Sequence, residues 1–181
     1  MNTSMPRPLV LLLGLLTALS LPGCGYSLAG RGSFLPSYIK TIGVPPFLNS
    51  TTVIDAERIL TERVQREFIG RGKFKVVPNR TGVDALVTGQ ITSITLSPAG
   101  LSTQQQASRY ALVVTASIEF TDVKTNKVLW RNPAMQFRDE FEVSTGGTQD
   151  VNAFFGQNAD ALDRLATEFA RAIVSAIVEA F

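Results

Sequence analysis

Apolar positions recur along this chain with three periods: an unbroken run, an alternation of two, and steps of three and four. The unbroken run, Leu9 to Leu21, is interrupted only by Gly14, Thr17 and Ser20. Tyr38 to Phe47 supplies β-branched Ile39, Ile42 and Val44 and ends at Pro45-Pro46, which predicts a first strand. Ala56, Ile59, Leu60, Val64 and Phe68 then recur at helical spacing. Thr52, with Asp55 three places on, predicts the capped start of that helix, and Gly70 or Gly72 its end. Phe74 to Val77 predicts a short second strand that returns parallel to the first.

The next two strands differ in clarity. In Ala85 to Leu96, Val87, Gly89 and Ile91 share one phase and Ile94 and Leu96 the other, so a bulge is expected near Thr92-Ser93. Tyr110 to Asp122 alternates without fault, with Leu112, Val114, Ala116, Ile118 and Phe120 as its core face. A turn at Lys124-Thr125-Asn126, with Asn126 at positive φ, leads to a fifth strand. That strand starts at Val128-Leu129-Trp130, is interrupted by Pro133 and resumes with Met135, Phe137, Phe141 and Val143. After the loop 144–152, Asp150 or Asn152 can cap a last helix. Its stripe is Phe155, Ala159, Leu162, Leu165, Phe169, Ile173, Ile177 and Phe181, with an Asp160–Arg164 pair on the polar side. The expected fold is α+β: a two-layer sandwich with a mixed, open sheet of four to five strands and two long helices packed on one face.

The unbroken run is too short to span a bilayer: its residues cover about 20 Å as a helix, against roughly 30 Å of hydrocarbon. With Arg7 before it, it reads as a secretory signal peptide. Leu21-Pro22-Gly23-Cys24 resembles the bacterial lipoprotein signal, in which Leu precedes a Cys by three places and a small residue stands before the cut. Pro22 departs from the Ala or Ser usual there. The expectation is a signal at residues 1–23, a lipid-bearing Cys24 with diacylglycerol and an N-acyl chain, and Gly25 favouring the outer membrane. Residues 24–37 form a short tether reaching at most about 50 Å, and residues 38–181 a single domain.

Composition narrows the chemistry. The 181 residues include 17 Lys+Arg, 15 Asp+Glu, no histidine and one cysteine. Without histidine the usual general base and commonest metal ligand are missing, and one cysteine permits neither an internal disulfide nor a Cys₂His₂ zinc site. A net charge of +2 is too slight for a nucleic-acid-binding face. Gly30-Arg31-Gly32 and Gly70-Arg71-Gly72 lack the third glycine of a dinucleotide loop, and Asn49-Ser50-Thr51 and Asn79-Arg80-Thr81 fit turns better than glycosylation sites. Glu140 and Glu142 share a strand face and are the one carboxylate pair available for hydrolysis of envelope glycans. Edge-strand carboxylates that discourage pairing with neighbours are the commoner arrangement. No catalytic set, metal site or cofactor is expected.

One resemblance covers almost all of residues 24–181. Cys24 is followed by GYSLAGRGSFLPSYIKTIGVPPFLN, a capped helix, a hairpin reading FTDVKTNKVLW and a long last helix. This resembles the lipopolysaccharide-assembly lipoproteins, the E component of the lipopolysaccharide transport system. The resemblance implies a domain that plugs a large outer-membrane β-barrel, the D component, helps it fold, and contacts lipopolysaccharide. It also implies that Cys24 bears the lipid. The uncharged segment Ser97 to Ser108 and the cations Arg109, Lys124, Lys127 and Arg131 are the candidate contacts with barrel or lipopolysaccharide. The alternative is a lipoprotein activator of a peptidoglycan synthase, for which the tether is short.

Overall fold

The structure is a computed structural model that describes residues 35–101, 107–142, 150–157 and 159–179. The apolar run, Cys24 and Phe181 lie outside these residues. In chain order the elements are β1 (Thr41–Gly43), β2 (Leu48–Asn49), α1 (Ala56–Gly70), β3 (Lys75–Val77), β4 (Ala85–Leu101), β5 (Ala107–Asp122), β6 (Lys127–Glu142), α2 (Val151–Gln157) and α3 (Ala159–Glu179).

The faultless alternation lies in β5, between β4 and β6 in an open sheet ordered β3-β1-β4-β5-β6. Leu112, Val114, Ala116, Ile118 and Phe120 are fully buried. Val113, Thr115, Ser117, Glu119 and Thr121 on the opposite face are half-buried. The helices therefore cover one face only. β1, β2 and β3 pair parallel and β4, β5 and β6 antiparallel, which makes the sheet mixed. Ile91 pairs with Ala116 and Ser93 with Thr115, so Thr92 is the extra residue of a bulge. The phase reverses there, and Ile94 turns into the core as expected.

The first expected strand divides in two. Pro45 and Pro46 carry no N–H and cannot join the ladder, so β1 and β2 pair separately with β4, bringing the sheet to six strands. The backbone groups beside the prolines are satisfied from α1. The Phe47 N–H donates to Thr61 Oγ1 at 3.0 Å, and Gln65 Nε2 donates to the Val44 carbonyl at 2.7 Å. A buried threonine on the apolar face of α1 is thereby explained.

Four local expectations are corrected. First, Thr52 does not cap α1. Asn49 Oδ1 accepts the Thr51 N–H at 2.9 Å while its amide donates to the Val53 carbonyl and Glu57 at 2.8 Å, and this knot delays the helix. Asp55 then takes a left-handed conformation (φ 63°) with no side-chain cap, and the helix starts at Ala56. Second, the polar segment from Ser97 begins as strand rather than loop: Ser97 to Leu101 prolong β4 and Ala107 opens β5, while residues 102–106 lie outside the described residues. Ser97 stands opposite Ala111 and Gly100 opposite Arg109, with irregular register around Pro98 and Gly100, because a partner strand satisfies the backbone whatever the side chains. Third, Pro133 does not end the last strand: Ile118 pairs with Asn132 and Ala116 with Met135, a register shift absorbed within β6. Fourth, Arg164 turns from Asp160 to Asp139 of β6, at 3.4 Å, and stacks over the Phe141 ring at 4.5 Å.

Other expectations hold. Asn126 has φ 52° and Gly72, just past α1, has φ 67°. Asp150 Oδ1 accepts the Ala153 N–H at 2.7 Å as the expected cap, but the helix it opens is α2, separate from α3, and its buried aromatic is Phe154 rather than Phe155. Leu162, Leu165, Phe169, Ile173 and Ile177 of α3 are buried. α1 and α3 run alongside each other in one direction: Arg63 Nε binds Asp163 at 2.8 Å, and Arg71 Nη2 binds Ser175 at 2.6 Å.

Candidate functional site

Leu35, the first described residue, is buried, and the segment that leads into β1 is fixed to the sheet by two carboxylates. Asp84 Oδ2 accepts the backbone N–H groups of Thr41 at 2.7 Å and Lys40 at 3.0 Å. Asp122, at the end of β5, is 2 % exposed. It accepts the Thr125 hydroxyl at 2.6 Å, the Lys124 N–H at 2.9 Å and the Tyr38 hydroxyl. Lys124 Nζ lies 4.9 Å above the Tyr38 ring. The backbone N–H of Thr41 and then that of Lys40 hold the Asp84 carboxyl below its usual range. The hydroxyls of Thr125 and then Tyr38 do the same for Asp122. The bond to Asp122 pushes the Tyr38 phenol up. The result is a knot between the segment leading into β1 and the β5–β6 turn. The Asp-to-Thr spacing signals the turn in the sequence, but no local pattern names Tyr38 as its partner.

The four candidate cations do not form one patch. Lys124 lies in the β5–β6 turn and Lys127 opens β6 just after it. Arg131 lies a few residues along β6 and pairs with Glu119 at 3.7 Å. Arg109 is near the other end of β5, about 40 Å from that turn at roughly 3.3 Å per residue. There it pairs with Glu140 at 3.6 Å. Both arginines are more than half exposed, so these pairs hold them only loosely.

The carboxylates of β6 are split between its faces. Glu140 and Glu142 are exposed on the outer face of an edge strand, and Arg138 binds Glu140 at 3.0 Å. Asp139 faces inward to Arg164. Arg109 and Arg138 both pair with the Glu140 carboxylate on that face. Among the described residues no three His, Cys, Asp or Glu side chains stand close enough to hold a metal, and no helix is long and apolar enough to cross a membrane. Cys24 lies outside the described residues. What the domain offers is therefore surface: a one-sided sheet whose long ribbon exposes a polar face.

Comparison with known proteins gives this fold a context. Among curated proteins none matches the chain. Among solved structures, the hypothetical protein CT253 from Chlamydia trachomatis is similar at 12% identity and TM-score 0.53, covering 78% of this chain and 99% of that one. A PelC dodecamer subunit from Paraburkholderia phytofirmans is similar at 14% identity and TM-score 0.50, covering 77% and 89%. Rare lipoprotein B from Shewanella oneidensis matches at 15% identity and TM-score 0.45, covering 78% and 96%. At identities this low, the first two, with TM-scores of 0.50 and above, establish a shared fold and nothing about partners. The sequence profile of the lipopolysaccharide-assembly family LptE is more specific, since it matches residues 39–177, from the first strand to the last helix. On that match the chain belongs to the LptE lipopolysaccharide-assembly family of non-enzymatic lipoproteins.

Proposed function

We propose that this protein is exported, acylated on Cys24 and held on the periplasmic side of the outer membrane. There it plugs and helps assemble the β-barrel of the lipopolysaccharide transport system, the D component, and contacts lipopolysaccharide on its way to the cell surface. The family match across residues 39–177 carries this reading. The geometry supports it: β4, β5 and β6 form a ribbon of 16 to 17 residues per strand, long enough to extend along a wide lumen. Its tip, within Ser97 to Ser108, has no charged residue, so it can meet a wet barrel wall without stripping water from an ion. Arg109 and Arg131 on the outer face, and Lys124 and Lys127 at the turn, are the cations that would meet barrel carboxylates or lipopolysaccharide phosphates. The test is a pull-down of the mature protein from solubilised outer membranes. A large β-barrel should come with it, and recovery of inner-membrane peptidoglycan synthases alone would replace this reading. Palmitate labelling that disappears in Cys24→Ser tests the lipid attachment separately.

A further inference from the structure

All five lysines of the chain, Lys40, Lys73, Lys75, Lys124 and Lys127, stand at one end of the sheet. Strand direction brings them there. β1, β3 and β4 run parallel and begin at this end, β5 finishes at it, and β6 starts from it. The Lys75 N–H donates to the Lys40 carbonyl at 2.8 Å, and Lys40, Lys73 and Lys75 line an open cleft of about 440 Å³ with Leu35 and Pro36. Lys124, above the Tyr38 ring, joins the turn lysines to the same corner.

Three features set this end apart. All five lysines are exposed, yet every ion pair among the described residues is made by an arginine. The carboxylates that stand among them, Asp84 and Asp122, are occupied by backbone N–H groups and hydroxyls. Exposed Tyr38, Val123 and Val128 lie between the lysines. Long-stemmed cations interleaved with tyrosine and apolar side chains suit the boundary between headgroups and acyl chains. The chain also enters the domain here. Leu35 is eleven residues after Cys24, a reach of at most about 40 Å.

We propose that this lysine end is a membrane-docking surface. Its five ammonium groups lie against the anionic phospholipid headgroups of the leaflet that holds the acyl chains of Cys24, and Tyr38, Val123 and Val128 sit at the headgroup boundary. The inference rests on the lipid attachment proposed above and adds an orientation to it. The lysine end then marks the headgroup level of that leaflet, and the far end of the β4–β5 ribbon lies roughly 50 Å from it along the lumen, at about 3.3 Å per residue. Lys124 and Lys127 then meet phospholipid phosphates, which leaves Arg109 and Arg131 for the barrel or lipopolysaccharide.

The experiment uses the whole mature chain from Cys24, purified without acyl groups, so that only the surface is measured. It should co-sediment with phosphatidylcholine vesicles containing about one-third phosphatidylglycerol, stay free of pure phosphatidylcholine vesicles, and be released by salt. Each lysine removed should lower partitioning about fivefold, the equivalent of about 1 kcal/mol. The variant carrying Lys73→Gln, Lys75→Gln and Lys124→Gln should therefore lose about a hundredfold. The charge-matched variant with Arg58→Gln, Arg66→Gln and Arg171→Gln should keep its binding. Equal binding by the two triple variants overturns the proposal. So does a lysine variant that loses lipopolysaccharide aggregates but keeps phosphatidylglycerol vesicles, which would assign the cluster to lipopolysaccharide phosphates. If palmitate labels Cys24 while vesicle binding fails, this inference alone falls. If vesicle binding holds without palmitate labelling, the anchor falls and the surface stands.

Discussion

Gly89 of β4 is where the sheet admits its most confined aromatic contact, and adding one methyl group there measures how tightly the core is closed. A Cβ at Gly89 would lie 2.8 Å from the Phe47 ring and 2.9 Å from Ile118 Cδ1, inside any normal carbon contact. Neither neighbour is free to retreat. Phe47 is 3 % exposed and meets Phe169 of α3 edge-on at 6.5 Å, and Ile118 is fully buried. Overpacking of this kind costs about 1–3 kcal/mol, offset by roughly 0.5–1 kcal/mol from the backbone freedom that alanine gives up more cheaply than glycine. Gly89→Ala should therefore destabilise by about 1–2 kcal/mol, a fall in Tm of roughly 2–8 °C for a domain of this size. Urea unfolding followed by the fluorescence of Trp130, the single tryptophan, reads the change directly. The decisive comparison is the same substitution in a Phe47→Leu background. There the ring no longer opposes the new methyl, and the cost should at least halve. If Gly89→Ala costs the same in both backgrounds to within about 0.5 kcal/mol, the two sites are independent and the steric argument is wrong.

Two other glycines form a contrasting pair. A Cβ at Gly43 would meet the Asn79 carbonyl oxygen at 2.4 Å, so Gly43→Ala must displace backbone and should cost about 3 kcal/mol or more, whereas Gly70, with open space around it, should accept alanine at no loss in the same urea titration. The carboxyls of Asp84 and Asp122 are held below their unfolded value of 3.8, so their stabilising contribution is complete above that pH and is lost as the pH falls through their lower folded values. Thermal melts between neutral pH and pH 3 should show a steeper acid loss in the native chain than in the Asp84→Asn, Asp122→Asn double variant, and parallel curves would refute the assignment. The Arg63–Asp163 bridge joins α1 to α3 with three hydrogen bonds, from Nε and Nη2, but Asp163 is 46% exposed. A double-mutant cycle with alanine at both positions should give a coupling of no more than about 1 kcal/mol. A much larger value would mean that the helix interface depends on charge rather than on packing.

The sequence by itself determined the period of each element, and with it which side chains are buried. The β5 face, the Thr92 bulge, Asn126 at positive φ, the Asp150 cap and the α3 stripe were legible because each depends on neighbours within a few residues. The failures share one cause, a competing partner from elsewhere in the chain or from an unrecognised local knot. Arg164 left Asp160 because β6 brings Asp139 and Phe141 beside it. Ser97 to Leu101 became strand because β5 lies next to them, and Thr52 lost its capping role to the hydrogen bonds of Asn49. The candidate site shows the same division. Arg109, Lys124, Lys127 and Arg131 were visible as exposed cations, but sequence separation says nothing of distance across a sheet, and the strands carry Arg109 far from the other three. Lys40, Lys73 and Lys75, remote from Lys124 and Lys127 in sequence, were brought to the same end by nothing local. Only the parallel start of β1, β3 and β4 and the antiparallel return of β5 decide that, because strand direction is a property of the pairing and not of any one strand.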